Sequence, residues 1–461
     1  MQFIGRKKEL KLLNDIYLEK RWHVGVISGA RRIGKSTLIK ESLKNYKSIY
    51  FLAFDTSEID NRIRLSKKVN LYFDLPKDYV YPSFSDIFDL IIEEMKKRTI
   101  IFVIDELPFL ARHYPGVISL LQEFIDDMHA TDSKLLLSGS DETFLANLIL
   151  DKAKPLYLRQ SFKLQVGPLD FYESLEFLLG ASEEDKIKYL ALFYGRPFYL
   201  ENIDTSLGFE ENIKKLIFAK NGPLNDIPRQ VLPFSAADNT TYKMILYAIS
   251  KRKNKPTLIA DLLNDSTNNI STYLNRLLSA NIIEKRTMFN SGTRKNYYVI
   301  KDPLVRFYYD ILFEHLEELS FGMGEILFET LKEEIHQFIA RSFEDVANEY
   351  IKYLNINGLL PNYFGEIKEL KIDNSILKHS VEFDGVSLSL DKKSILIIES
   401  KYRNKDVSLE IYKHLKENAK IFSNYKNIYF YIVSKTKFSV ELTNIKDKNL
   451  FLVPLLDRVS K

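Results

Sequence analysis

The sequence contains no cysteine, which removes disulfides and thiolate metal ligands together and fits a reducing compartment, so a cytoplasmic location is expected. It also lacks any uninterrupted apolar stretch near the length that spans a bilayer, and no membrane partner is expected. The beginning, MQFIGRKKELK, puts charges where an export signal needs an apolar core. The seven histidines show no paired spacing, which leaves zinc chemistry without support. Net charge is scarce too: +4 over 461 residues is too small to indicate nucleic-acid binding, so any such case must be local. Neither internal repeats nor low-complexity tracts are visible.

What is present is a 45% hydrophobic, 28% charged chain too long for one ordinary core. Its organising stretch is Val24-Gly-Val-Ile-Ser-Gly-Ala-Arg-Arg-Ile-Gly-Lys-Ser-Thr-Leu-Ile39, a buried-strand run, a glycine-bounded loop and an apolar helix. Backbone N–H groups between Gly29 and Gly34 can turn inward on phosphate oxygens. The predicted nucleotide site is therefore Gly29, Ala30, Arg31, Arg32, Ile33, Gly34, Lys35, Ser36 and Thr37, with Lys35 as a point charge for the terminal phosphates and Ser36 on Mg²⁺. Short apolar runs at 48–54, 100–104, 134–138 and 162–166 alternate with helical patterns, which predicts an α/β fold with a parallel sheet and ligands at its carboxyl edge.

Ile100-Ile-Phe-Val-Ile-Asp-Glu106 delivers two carboxylates to that edge, Asp105 for Mg²⁺ and Glu106 to polarise the attacking water. The bland alternative is a buried strand that ends in exposed acids. Ser138-Gly-Ser140 closes another strand with hydroxyls, either a sensor of the terminal phosphate at Ser138 or a simple turn. Arg159 is either a surface arginine or a neutraliser of transition-state charge, in cis or from a neighbouring subunit, and a homo-oligomer would supply the second case.

These segments, together with Phe-Ile-Gly-Arg-Lys-Lys-Glu-Leu at the start, Pro-Leu-Tyr-Leu-Arg and Tyr-Gly-Arg-Pro-Phe-Tyr-Leu, resemble in order the archaeal ATPase family of the AAA+/STAND group of P-loop NTPases. The resemblance implies ATP and Mg²⁺ as ligands, an extra strand between loop and acids, a role for Arg159, and an approach of the Gly195–Pro197 turn to nucleotide. Arg196 stands where the family more often has a second glycine, facing phosphate or solvent.

Three helical segments at 242–250, 257–263 and 270–280, followed by strand-like runs at 282–286 and 295–300, predict a winged helix-turn-helix. Asn269, Arg276, Arg286, Arg294 and Lys295 are its expected contacts to double-stranded DNA, with Tyr297 and Tyr298 beside them, while a protein-docking spacer is the alternative. Near the end, strands at 381–388 and 394–400 would set Asp384 beside Glu399 and Lys401, and Glu344 on the preceding helix could add a ligand. This segment resembles the restriction-endonuclease-like PD-(D/E)xK domain, DUF234 type, that follows such ATPases, a fold also retained where activity is lost. The expected domains are thus a P-loop core at 1–168, a helical lid at 169–228, the winged helix at 229–312 and the nuclease-like α/β domain at 313–461. The expected function is an ATPase whose nucleotide state gates DNA binding and DNA cleavage. The alternative is a nucleotide-dependent signalling or assembly switch with an inactive C-terminal binding domain.

Overall fold

The run His23–Ser28 (β1) is buried at every residue, the pattern of a parallel strand covered on both faces. In the computed structural model, which describes residues 3–128, 131–152, 154–232, 239–289, 296–374 and 379–460, it pairs with β4 (Lys134–Gly139) and β5 (Phe162–Gln165). With β2 (Ser48–Leu52) and β3 (Ile101–Asp105) these form a five-stranded parallel sheet in the order β2-β3-β4-β1-β5. The strand β4 separates β1 from β3, so an extra strand does stand between loop and acids.

Helix α1 (Lys7–Leu18) precedes β1, and α2 (Lys35–Ser42), α3 (Glu58–Phe73), α4 (Phe84–Lys97), α5 (Leu107–His113), α6 (Val117–Asp127) and α7 (Glu142–Leu150) connect the strands. The start of α4 shows why the chain turns helical there. Ser83 and Asp86 form a reciprocal capping box, and Phe84, Ile87, Phe88, Ile91, Ile92 and Met95 follow at helical spacing, all buried. Phe88, Phe102 and Phe124 pack together on one face of the sheet, while Leu38, Ile39 and Val103 fill the other. Gly25 lets β5 approach, since a Cβ there would stand 2.3 Å from the Phe162 ring. At the amino edge the buried Lys134 amine donates to the carbonyls of Glu19, Arg21 and Asp132 at 2.8, 2.9 and 2.5 Å, tying the end of α1 to the sheet.

The chain divides into two compact units, Met1–Pro168 and Leu169–Lys461. The second begins with short helices, including Glu183–Phe193, and continues through helices Thr240–Ser250, Pro256–Leu263 and Thr267–Ser279 to an antiparallel pair, β6 (Ile283–Thr287) and β7 (Asn296–Ile300). A 25-residue helix, Lys332–Ile356, then leads into a mixed sheet, β8 (Lys368–Asn374), β9 (His379–Leu388), β10 (Ser394–Lys401), β11 (Asn427–Ser434) and β12 (Leu450–Pro454). Its order is β12-β11-β10-β9-β8, antiparallel from β8 to β10 and parallel from β10 to β12. One apolar core runs through this unit from Leu169 to Val459, and a second, with Val381, Ile395, Ile397 and Phe422, covers the other face of the mixed sheet. The edge strands β8 and β12 have no counterpart in the apolar periodicity. Each is partnered on one side only, so a sequence such as Lys-Glu-Leu-Lys-Ile buries too few side chains to announce itself.

Candidate functional site

Past the carboxyl end of β1 the chain folds into a loop held by backbone contacts. A Cβ on Gly29 would meet the Val166 carbonyl oxygen at 2.5 Å, and Gly34 takes the left-handed φ of 90° that starts α2. Ile33 anchors the loop in the core, while Arg32 is exposed with φ 60°. Arg6, 3% exposed, donates to the Ile33 carbonyl at 3.0 Å and to Glu9 at 3.2 Å. This brace comes from the residue that caps α1, within the Phe-Ile-Gly-Arg-Lys-Lys-Glu-Leu segment, but its partner is a main-chain atom 27 residues away and leaves no signal in the sequence.

Lys35 and Ser36 open α2, and Thr37 is exposed one residue on. Lys35 is 5% exposed, and its amine lies 3.4 Å from the Ala30 carbonyl and 3.8 Å from Glu106 Oε1. Glu106, left-handed at φ 56°, turns its other oxygen to Ser140, accepting from the backbone N–H at 3.0 Å and from the hydroxyl at 2.9 Å. Asp105 is fully buried and accepts from the Ser138 hydroxyl, from the Glu106 N–H at 3.1 Å and from the Tyr50 phenol at 2.5 Å. The Ser36 hydroxyl bonds the same phenol, whose deprotonation is opposed first by burial and then by Asp105. The structure therefore gathers Lys35, Ser36, Asp105, Glu106 and Ser138 at one sheet edge and adds Tyr50 and Ser140. Ser36, Asp105 and Tyr50 present hard oxygens in one connected network, a donor set that suits Mg²⁺.

Arg159 is not part of that gathering within one chain. It precedes β5, whose Phe162 pairs with Gly25 near the start of β1, and Ser161 N donates to the Val24 carbonyl. That is the amino edge, and the loop lies at the carboxyl edge, roughly 15 Å away along the strand at about 3.3 Å per residue. There Arg159 forms a two-point ion pair with Asp126 at 2.8 and 3.0 Å and donates to the Pro155 carbonyl.

In the second unit Pro197 opens a single helical turn, and Arg196 is neither solvent-facing nor open, pairing with Asp302 at 3.1 Å. Asn269 and Arg276 lie exposed on helix Thr267–Ser279. Arg286 is instead engaged, with Glu284 at 2.6 Å and with Asp345 at 3.3 Å, and Tyr297 and Tyr298 are buried rather than displayed. Arg294 and Lys295 fall outside the described residues.

Glu344 stands on the long helix, Asp384 on β9, and Glu399 with Lys401 on β10. Asp384 accepts from the Ser400 N–H and hydroxyl, both at 2.7 Å, and Glu399 pairs with Lys401. Burial, and then the neighbouring Asp384, push the carboxyls of Glu344 and Glu399 above their usual range, Glu344 to about 8. Glu344 and Asp384 line a cleft of about 310 Å³ together with Arg252, Arg286 and Arg341, whereas Glu399 and Lys401 are outside its lining. Among the described residues no three His, Asp or Glu side chains are grouped to hold a metal ion. Ser400 entered no sequence pattern, since a serine between Glu399 and Lys401 reads as a spacer.

Residues 3–203 match a family described as an ATPase domain predominantly from Archaea, and 308–417 match DUF234, archaeal and bacterial proteins of unknown function. The chain is 30% identical to the uncharacterized protein MJECL04 of Methanocaldococcus jannaschii over 94% of its own length and 95% of that protein's. The chain belongs to the archaeal ATPase family with a C-terminal DUF234 domain. This archaeal ATPase shares its fold with a Walker-type ATPase of Pyrococcus abyssi, with a TM-score of 0.52 at 22% identity over 67% of this chain and 96% of that one. No helix among its described residues is long and apolar enough to cross a membrane.

Proposed function

We propose that this archaeal ATPase hydrolyses ATP at the β1–α2 loop and that its nucleotide state governs DNA binding, and DNA cleavage, by the second unit. The observation that carries the reading is the chain of contacts Lys35–Glu106–Ser140 beside Asp105–Ser138. Lys35 would neutralise the terminal phosphates, and the loop N–H groups would cradle the oxygens upstream. Ser36 and Asp105 would hold Mg²⁺, whose contribution there is charge neutralisation on the β- and γ-phosphate oxygens. Ser138 fixes the Asp105 carboxylate in rotation, and Glu106 would accept the proton of the attacking water once its contact to Ser140 is exchanged. Arg159, at the far edge of its own sheet, is proposed to act on a neighbouring copy, which makes a homo-oligomer the working form.

The helices Thr240–Ser250, Pro256–Leu263 and Thr267–Ser279 with the antiparallel pair β6 and β7 have the composition of a winged helix, with Asn269 and Arg276 exposed for duplex DNA. Asp384, Glu399 and Lys401 fit a phosphodiester-cleaving centre with Glu344 as a further acid. A second reading, an assembly switch with a catalytically silent C-terminal domain, is favoured by the engaged Lys401 and the ungrouped acids.

The test is ATP turnover and Mg²⁺-dependent DNA cleavage by the intact protein beside Lys35→Ala and Lys401→Ala. Turnover that rises with duplex DNA and is lost in Lys35→Ala, with cleavage lost in Lys401→Ala, supports the leading reading. Retained ADP, negligible turnover and nucleotide-dependent assembly would move the conclusion to the switch.

A further inference from the structure

A cavity of about 480 Å³ opens in the second unit, lined by none of the carboxylates of the nuclease-like cluster. Its wall is aromatic, with Tyr308, Tyr309 and Phe313, and its rim is cationic, with Lys220, Arg229 and Lys243. Tyr308 and Tyr309 are buried, 8% and 1% exposed, and meet edge to face at 5.4 Å, while Tyr309 and Phe313 lie 5.2 Å apart. Asp226 sits at the same mouth, 3.6 Å from Arg229. Lys220 and Lys243 form no ion pair with any described residue.

The backbone around this cavity is unusual in a way that singles it out. Two π-helical turns, Lys214–Phe218 and Tyr308–Leu312, occur among the described residues; the second contributes to its lining, and the first ends just before the lining begins at Ala219. Such turns are rare and concentrate at functional sites, because the widened ring redirects side chains that an α-helix would point elsewhere. The first delivers the chain to Ala219 and Lys220, and the second carries Tyr308 and Tyr309. Close packing holds the first turn in place. A Cβ on Gly222 would stand 2.5 Å from the Leu216 carbonyl oxygen, and one on Gly324 1.9 Å from that of Phe218. Asn225 closes the loop between by donating to the carbonyls of Ala219 and Lys220.

We infer that this cavity is a second ligand site, taking a mononucleotide with its base against Tyr308, Tyr309 and Phe313 and its phosphate on Lys220, Arg229 and Lys243. A purely apolar ligand would leave Lys220 and Lys243 at its rim without an ion-pair partner among the described residues, and a lone phosphate would leave the aromatic wall empty. A planar base with a ribose and one to three phosphates satisfies both halves. Asp226, already beside Arg229, can accept from the ribose hydroxyls as well. The volume lies within the range of pockets that enclose ligands of this size.

The test is isothermal titration of the intact protein with ATP, ADP and AMP, in wild type, in Lys35→Ala and in Lys35→Ala carrying Lys220→Glu and Lys243→Glu. The expected result is two sites per chain in wild type, one retained in Lys35→Ala, and that one weakened at least tenfold by the paired charge reversals with the thermal midpoint unchanged. A wild-type stoichiometry of one that vanishes in Lys35→Ala would overturn the second site while leaving the loop site standing. A retained site indifferent to the charge reversals, or one that inorganic phosphate occupies as tightly as AMP, would overturn the assignment too.

Discussion

Glu106 shows how one residue is held by neighbours that sequence spacing does not reveal. Its left-handed backbone turns the carboxylate toward Lys35 on one side and Ser140 on the other, so its readiness depends on a serine 34 residues downstream. Tyr50 is a parallel case, reading as one aromatic in an apolar strand yet bonded to both residues proposed for the metal. Glu344 carries a residue-scale prediction. Burial and then Asp384 raise its carboxyl to about 8 from an ordinary 4.5, so the folded chain keeps a proton that the unfolded chain has released. The stabilisation is complete below the unfolded value and is lost as pH rises through about 8. Between those limits its slope approaches roughly 1.4 kcal/mol per pH unit. The stability difference between wild type and Glu344→Gln, from urea unfolding, should therefore shift against wild type from pH 5 to pH 8. A difference independent of pH would contradict it.

At the scale of elements, the buried Lys134 amine joins β4 to the end of α1 through three carbonyls. Lys134→Met keeps most of the apolar stem but strands those acceptors, and should cost roughly 3 kcal/mol in denaturant unfolding. The hairpin offers a second contrast. Arg276 is exposed on its helix, while Arg286 holds β6 to the long helix through Asp345. On the proposed winged-helix reading, Arg276→Ala should weaken duplex DNA binding and reduce the salt slope by about 1, as loss of one phosphate contact does. Arg286→Ala should instead lower the thermal midpoint with the salt slope unchanged. Fluorescence anisotropy across a salt series, beside thermal melts, separates the two.

Across the molecule, the parts legible in the sequence were those whose signal is local. The loop of residues 29–36, the Asp105–Glu106 strand end and the strands β9, β10 and β11 each declare themselves within a few residues. Partners that meet through tertiary folding did not, as with Arg286 and Asp345, 59 residues apart, or Asp384 and Ser400. Arg159 fell between, because its motif is local but the edge it occupies is fixed only by the pairing of β5 with β1. That placement predicts complementation. Arg159→Ala and Glu106→Gln chains, each inactive alone, should regain turnover when mixed, since some interfaces then join an intact Glu106 to a neighbour's intact Arg159. No recovery in mixtures that demonstrably co-assemble would contradict action from a neighbouring copy.

The central claim, that the loop and Glu106 form one hydrolytic site, is tested most directly by steady-state phosphate release from Glu106→Gln with ATP binding measured in the same preparation. The account predicts retained binding with turnover lowered about 100-fold or more, the usual loss when a positioned base is removed. Turnover equal to wild type in Glu106→Gln would contradict it.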